Sequence, residues 1–146
     1  MKNLKTSWKL VALFLLGAIA SSFYVTRSRA FTLIEKEIQF LPAVQLVASQ
    51  PAAVEVSNIS PDTVAVVIEI FGDGSRILAR KQGEVGAGHT FILPYIQPAG
   101  VPPSSIRGVV RLGAAQAAVS SMLTLNKTTG QAIIVVQPGL VLPAVQ

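Results

Sequence analysis

Thr63-Val64-Ala65-Val66-Val67-Ile68-Glu69-Ile70-Phe71 is the stretch that decides the fold. Val64, Val66, Ile68 and Ile70 recur at every second position, with Thr63, Ala65, Val67, Glu69 and Phe71 between them. A helix brings apolar residues round every 3.6 positions, whereas a strand sends successive side chains to opposite faces. The run therefore reads as a strand, with Val64, Val66, Ile68 and Ile70 on one face.

The same period of two appears on both sides of it. Ile106 to Leu112 sets Ile106, Val110 and Leu112 against Arg107, Val109 and Arg111. Val119 to Leu125 places Val119, Leu123 and Leu125 on what reads as its apolar face. Weaker strands are expected at Ala43–Ala48, Ala53–Ile59, Arg76–Lys81, Thr90–Tyr95 and Gln131–Val136. Between them, Ser60-Pro61-Asp62-Thr63 puts proline where a turn needs its fixed φ. Gly72-Asp73-Gly74-Ser75 and Asn126 to Gly130 supply residues that tolerate positive φ and read as hairpin connections. Gln97 to Ser104 holds too much proline for a central strand and reads as a long surface crossing.

Seven to eight short strands with regular turns and no helical period in the body predict an all-β domain. The expected architecture is an antiparallel sandwich of immunoglobulin-like kind, with a small barrel as the alternative. The strand that leads into Asp73-Gly74-Ser75-Arg76-Ile77-Leu78-Ala79, followed by Gly86-Ala87-Gly88-His89-Thr90 opening the next strand, resembles the exported bacterial immunoglobulin-like and fibronectin type III-like domains. That resemblance spans roughly Val44 to Val136 and implies a fold, with no active site attached. The paired cysteines and core tryptophan of antibody domains are absent, since the chain has no cysteine and its one tryptophan is Trp8.

The charge is distributed unevenly. Lys2, Lys5, Lys9, Arg27 and Arg29 stand in the first 30 residues without an acid, while residues 31–146 hold the remaining seven cations and all seven acids. The body is formally neutral, which argues against nucleic acid as a partner, because phosphates reward a concentrated positive excess. Residues 10–25, from Leu10 to Val25, form an apolar run behind the cationic start, the pattern of a secretory signal peptide. Ala18-Ile19-Ala20 would release the chain at Ser21, and Ser28-Arg29-Ala30 at Phe31. An uncleaved anchor is the alternative, although the run is short for a span of about 20 residues. Phe31 to Glu35 matches the opening of a type IV pilin, but Ala30 stands where glycine is required and Lys36-Glu37 follows where an apolar helix should continue. The expected organisation is residues 1–30 as signal peptide or anchor and 31–146 as one exported domain, periplasmic or extracellular.

Candidate chemistry is sparse. His89 is the only histidine, and a triad built on it with Asp62 or Asp73 lacks the Gly-x-Ser-x-Gly turn that presents a nucleophile; it reads as an exposed residue at a strand start. Glu35, Glu37, Glu55, Asp62, Glu69, Asp73 and Glu84 show no calcium-loop or paired-carboxylate spacing. The expectation is no catalytic residue, no metal and no cofactor. A carbohydrate platform would have to come from Phe31, Phe40, Phe71, Phe91 and Tyr95. Arg107 with Arg111, and Arg76 with Arg80, form pairs able to hold an anion or to keep a sheet soluble. Asn58 and Asn126 open glycosylation sequons at turn edges.

The body's ends are apolar: Phe31, Leu33, Ile34, Ile38, Phe40 and Leu41 at one, Leu140 to Val145 at the other. They are expected to complete the sheets as edge strands, with strand addition to another chain as the alternative. Together these features predict a non-catalytic binding or structural module that meets another envelope or extracellular protein. The alternatives are a binder of a small apolar ligand or carbohydrate and, last, a hydrolase using His89. The oligomeric state is open.

Overall fold

The computed structural model describes residues 33–144. The leader, both cleavage points and the start of the pilin-like motif lie outside the described residues. Nine strands follow in order: β1 Glu37–Leu46, β2 Pro51–Asn58, β3 Val64–Phe71, β4 Ile77–Val85, β5 Thr90–Ile96, β6 Ser104–Leu112, β7 Ala118–Leu125, β8 Ala132–Val136 and β9 Leu140–Pro143. They form a five-stranded sheet in the order β4-β3-β6-β1-β9 and a four-stranded sheet in the order β5-β2-β7-β8. All pairings are antiparallel. Neither sheet closes on itself, so the molecule is a two-sheet sandwich and the barrel alternative falls away.

The inner face of β3 is the one its alternation predicts. Val64, Val66, Ile68 and Ile70 are buried and meet Val54, Val56 and Met122 from the facing sheet in one core with Ile106, Val110 and Leu112 of β6. Gly108 leaves room for its neighbours: a Cβ there would stand 2.7 Å from Cδ1 of its cross-strand partner Leu41 and 3.2 Å from Val54 Cγ2 of the facing sheet. A side chain there would have to push the Leu41 side chain aside within the core.

The two expected hairpins are present, β3–β4 through a 3-10 turn at Asp73–Ser75 and β7–β8 through Asn126–Gln131. Gly74 and Gly130 adopt φ of +67° and +69°, the left-handed region that glycine enters without steric cost. Asn126 Oδ1 accepts the amides of Thr128 and Thr129, which closes the second turn.

The ends of the body split in their behaviour. Leu140–Pro143 does complete a sheet as an edge strand, β9. The N-terminal apolar segment instead flows into β1, an inner strand between β6 and β9. β1 therefore begins well before Ala43, and a bulge between Leu41 and Val44 explains why the sequence hid it. Inward residues are Glu37, Gln39 and Leu41 before the bulge and Val44 and Leu46 after it, so no single period of two runs through the strand.

β7 requires the other correction. Val119, Leu123 and Leu125 do not face the core; Val119 is 48% exposed, and the inward residues are Ala118, Ser120, Met122 and Thr124. A shift of one residue moves every side chain of a strand to the opposite face. Here the polar inner positions are set by a hydrogen-bonded group reaching across from β1, described next.

Candidate functional site

Glu37 and Gln39 point from β1 into the space between the sheets and are 5% and 4% exposed. Gln39 Nε2 donates to Glu37 Oε1 at 2.6 Å and to the Ala118 carbonyl at 2.9 Å. Gln39 Oε1 accepts the Ser120 hydroxyl, and Glu37 Oε2 accepts the Gln116 amide at 2.7 Å. Every member of this group has a partner, so it ties β1 to β7 as a structural clamp. It also explains why serine, and not valine, sits inside β7. Thr124 is different: its hydroxyl is buried without a hydrogen-bond partner.

The outer face of the five-stranded sheet carries the charged side chains. Arg111 donates from Nη1 to Glu35 Oε1 at 3.1 Å and from Nε to Glu69 Oε2 at 3.3 Å, and Arg80 Nε lies 3.6 Å from Glu69 Oε1. Arg107 Nη2 donates to Ser75 Oγ at 2.8 Å, and its guanidinium lies 5.8 Å from the Phe71 ring centroid. Arg107 and Arg111 do share a face, as expected, but Arg111 is already held by carboxylates. Arg76 and Arg80 do not act as a pair: a register shift between Ile70 and Phe71 separates the turn from the strand. Arg80 joins the ion-pair row, while Arg76 lines a cleft at the end of the sandwich.

That cleft, of about 460 Å3, lies between the β3–β4 turn and the Gln97–Pro103 crossing, with Asp73, Arg76, Leu78, Tyr95 and Pro102 among its walls. The crossing is anchored by buried Gln97, whose Nε2 donates to the Pro102 carbonyl and the Ser104 hydroxyl and whose Oε1 accepts the Tyr95 hydroxyl. A smaller cleft of about 270 Å3 adjoins it at Gly72 and Asp73 and reaches Arg107. Both open at the sandwich end, the larger reaching in as far as Leu78 of one sheet and the inward-facing Tyr95 of the other.

His89 is exposed in the turn before β5, its Nδ1 2.9 Å from the Ala87 carbonyl. Asp73 sits beyond the opposite end of β4, a strand of nine residues, which at about 3.3 Å per residue puts it roughly 27 Å away. Among the described residues, no carboxylate hydrogen-bonds His89, and no three His, Cys, Asp or Glu side chains converge. The aromatics do not share a surface either. Phe40 and Phe71 belong to the outer face of one sheet, and Phe91 and Tyr95 to the inner face of the other, with Lys81 Nζ 4.4 Å above the Phe91 ring. Asn58 is 2% exposed and spends its amide on the Asp62 and Val85 carbonyls, so it cannot accept a glycan in the folded domain.

The outer side of the four-stranded sheet carries one carboxylate, Glu55, opposite Ile92 and Ser121, with the Ser57 and Thr90 hydroxyls hydrogen-bonded next to it, and is otherwise apolar. Ile92 and Ile96 of β5, Val119 of β7, and Ile133 and Val135 of β8 stand exposed there, with Leu123 and Leu125 half-buried between them. The cross-strand pairs Ala53–Pro94, Ala53–Leu123 and Leu123–Val135 make one continuous apolar row across all four strands. The sequence did show these residues as apolar, but assigned Val119, Leu123 and Leu125 to the core.

No family model matches the chain, and no curated protein matches it. Among solved structures it is similar to one titled "Crystal Structure of Thermotoga maritima 1070", at a TM-score of 0.46 and 11% identity, covering 77% of this chain and 93% of that one.

Proposed function

We propose that this chain is an exported, non-catalytic binding or structural module of immunoglobulin-like type that works through contacts with another envelope or extracellular protein. The observation that carries it is the apolar end of the outer side of the four-stranded sheet, where Pro94, Ala53, Leu123 and Val135 form a row flanked by Ile96 and Leu125 and unbroken by charge, while ion pairs cross the outer face of the other sheet. A surface of this kind marks an interaction site. The immunoglobulin-like reading draws support from the pairings β2–β5 and β3–β6, which correspond to strands B–E and C–F of that architecture. β1 and β7 exchange places relative to it, β1 joining β6 and β7 joining β2. The leader supports export, and such a fold hosts many functions, so the role rests on the surface.

Two experiments test the reading. The intact mass of the chain, taken on the soluble envelope extract and on the membrane fraction, should show a species beginning at Ser21 or Phe31, or a full-length anchored one; a chain confined to the cytoplasm overturns export. A photo-crosslinking residue at Ile96, on the exposed outer face, should give a discrete protein adduct in the cell that makes the protein. The same probe at Glu84, on the charged edge, should give none, and equal labelling at both positions overturns the contact surface.

A further inference from the structure

A sandwich has two open sides, and here they are built differently. β4 and β5 border one side, and β9 and β8 the other. On the first side, β4 carries Arg80, Lys81 and Glu84, and β5 carries Pro94 at its middle. Charges and proline on an edge strand are devices that prevent another strand from adding to it. The second side has no such guard along β8, which reads Ala132-Ile133-Ile134-Val135-Val136. From Ala132 to Pro143 there is no charged residue at all.

β8 is also apolar on both faces. A run of that kind belongs to a strand covered on both sides, yet Ile133, Ile134 and Val135 are 44–58% exposed, and Leu140, Val141 and Leu142 beside them in β9 are 41–50% exposed. Ile133 and Val135 stand on the outer face of the four-stranded sheet, Leu140 and Leu142 on the outer face of the other, and Ile134 and Val141 between the layers, so the open side is an uncharged apolar patch on each of its surfaces. The patch spans both layers of the sandwich. The occupant that matches it is another two-layered, uncharged edge, and the chain itself has one.

We propose that β8 pairs antiparallel with β8 of a second copy of this chain, about a two-fold axis at Ile134, so that two four-stranded sheets become one of eight. This rests on reading the apolar side as a contact surface and names one partner for its edge. The pairing sets Ile133 of one protomer against Val135 of its partner on the outer face and brings the two β9 strands together in the other layer. An isologous contact of this type closes on itself and stops at two. Because the segment is uncharged, no like-charge pair opposes it.

The test uses the full chain in a neutral detergent that disperses its apolar leader. Sedimentation velocity over a concentration series should give twice the monomer mass. Val135→Lys, at a position already exposed, should return the monomer and melt where the wild type melts at concentrations too low for it to pair. Ile134→Cys, in a chain that has no other cysteine, should form a disulfide-linked dimer under mild oxidation, since opposed antiparallel residues sit about 4.5–5.5 Å apart at Cα, within disulfide reach. Gln82→Cys on the guarded edge should not. A wild-type chain that stays monomeric at every concentration, or a dimer that survives Val135→Lys and cross-links at position 82 and not at 134, overturns the proposal. A monomer whose Ile96 probe still captures a protein would end self-pairing and leave the contact-surface reading intact.

Discussion

Gly108 and Thr124 show how narrow the tolerances of this core are. At Gly108 of β6 a methyl group would meet the side chain of its cross-strand neighbour Leu41 in β1 and that of Val54 in the facing sheet. Gly108→Ala should therefore lower stability by about 1–3 kcal/mol through overpacking, read as a drop in the thermal midpoint of roughly 4–10 °C for a domain of this size. Thr124 makes the opposite case. Its hydroxyl is buried and unpaired, so Thr124→Val keeps the shape while removing an unsatisfied group that costs about 1–3 kcal/mol. The variant should melt higher than the wild type, and a lower midpoint would mean that the hydroxyl has a partner after all. Thr124 was legible only as a polar position on an outer face. Its actual placement depends on the register of β7, which its own sequence does not set.

At the scale of elements, turns and strands were read with different success. The β3–β4 and β7–β8 connections were plain, because Gly74 and Gly130 stand where φ must be positive and Asn126 folds its own turn. β3 was plain because valine and isoleucine alternate without interruption, and β6 because Ile106, Val110 and Leu112 alternate with Arg107 and Arg111. β1 and β7 were not. The bulge in β1 reverses its parity, and β7 buries Ser120 because Gln39 supplies an acceptor from the opposite sheet. Asn58 performs a similar service between elements, linking the end of β2 to the Ser60–Thr63 turn and to Val85 at the end of β4 through four hydrogen bonds. Asn58→Ala should leave buried carbonyls without donors and cost about 1–3 kcal/mol. Asn58→Asp should cost at least as much, because a carboxylate cannot donate to two carbonyls; chemical denaturation of both variants checks the order.

For the whole molecule, topology governs kinetics and surface alike. Of the connections between successive strands, only β3–β4 and β7–β8 stay within one sheet, and every other passes from one layer to the other. Native contacts are therefore mostly distant in sequence, and refolding should take about milliseconds to seconds, in the range of all-β sandwiches and not of helical bundles. Stopped-flow circular dichroism at the strand band is the measurement, and a microsecond phase carrying most of the amplitude would contradict it. The chain's amino acids by themselves determined that the body is all-β, where its turns fall, which faces of β3 and β6 are apolar, and that the net charge belongs to the first 30 residues. Those properties are local: they follow from side-chain periodicity, from φ at glycine and proline, and from counting charges. Only the tertiary structure decided that β1 lies inside a sheet, that Glu37 and Gln39 are buried, and that Val119, Leu123 and Leu125 face outward. A strand's two faces become distinct only when a second sheet supplies partners for one of them, and here that sheet offered hydrogen bonds to polar side chains and left an apolar side open.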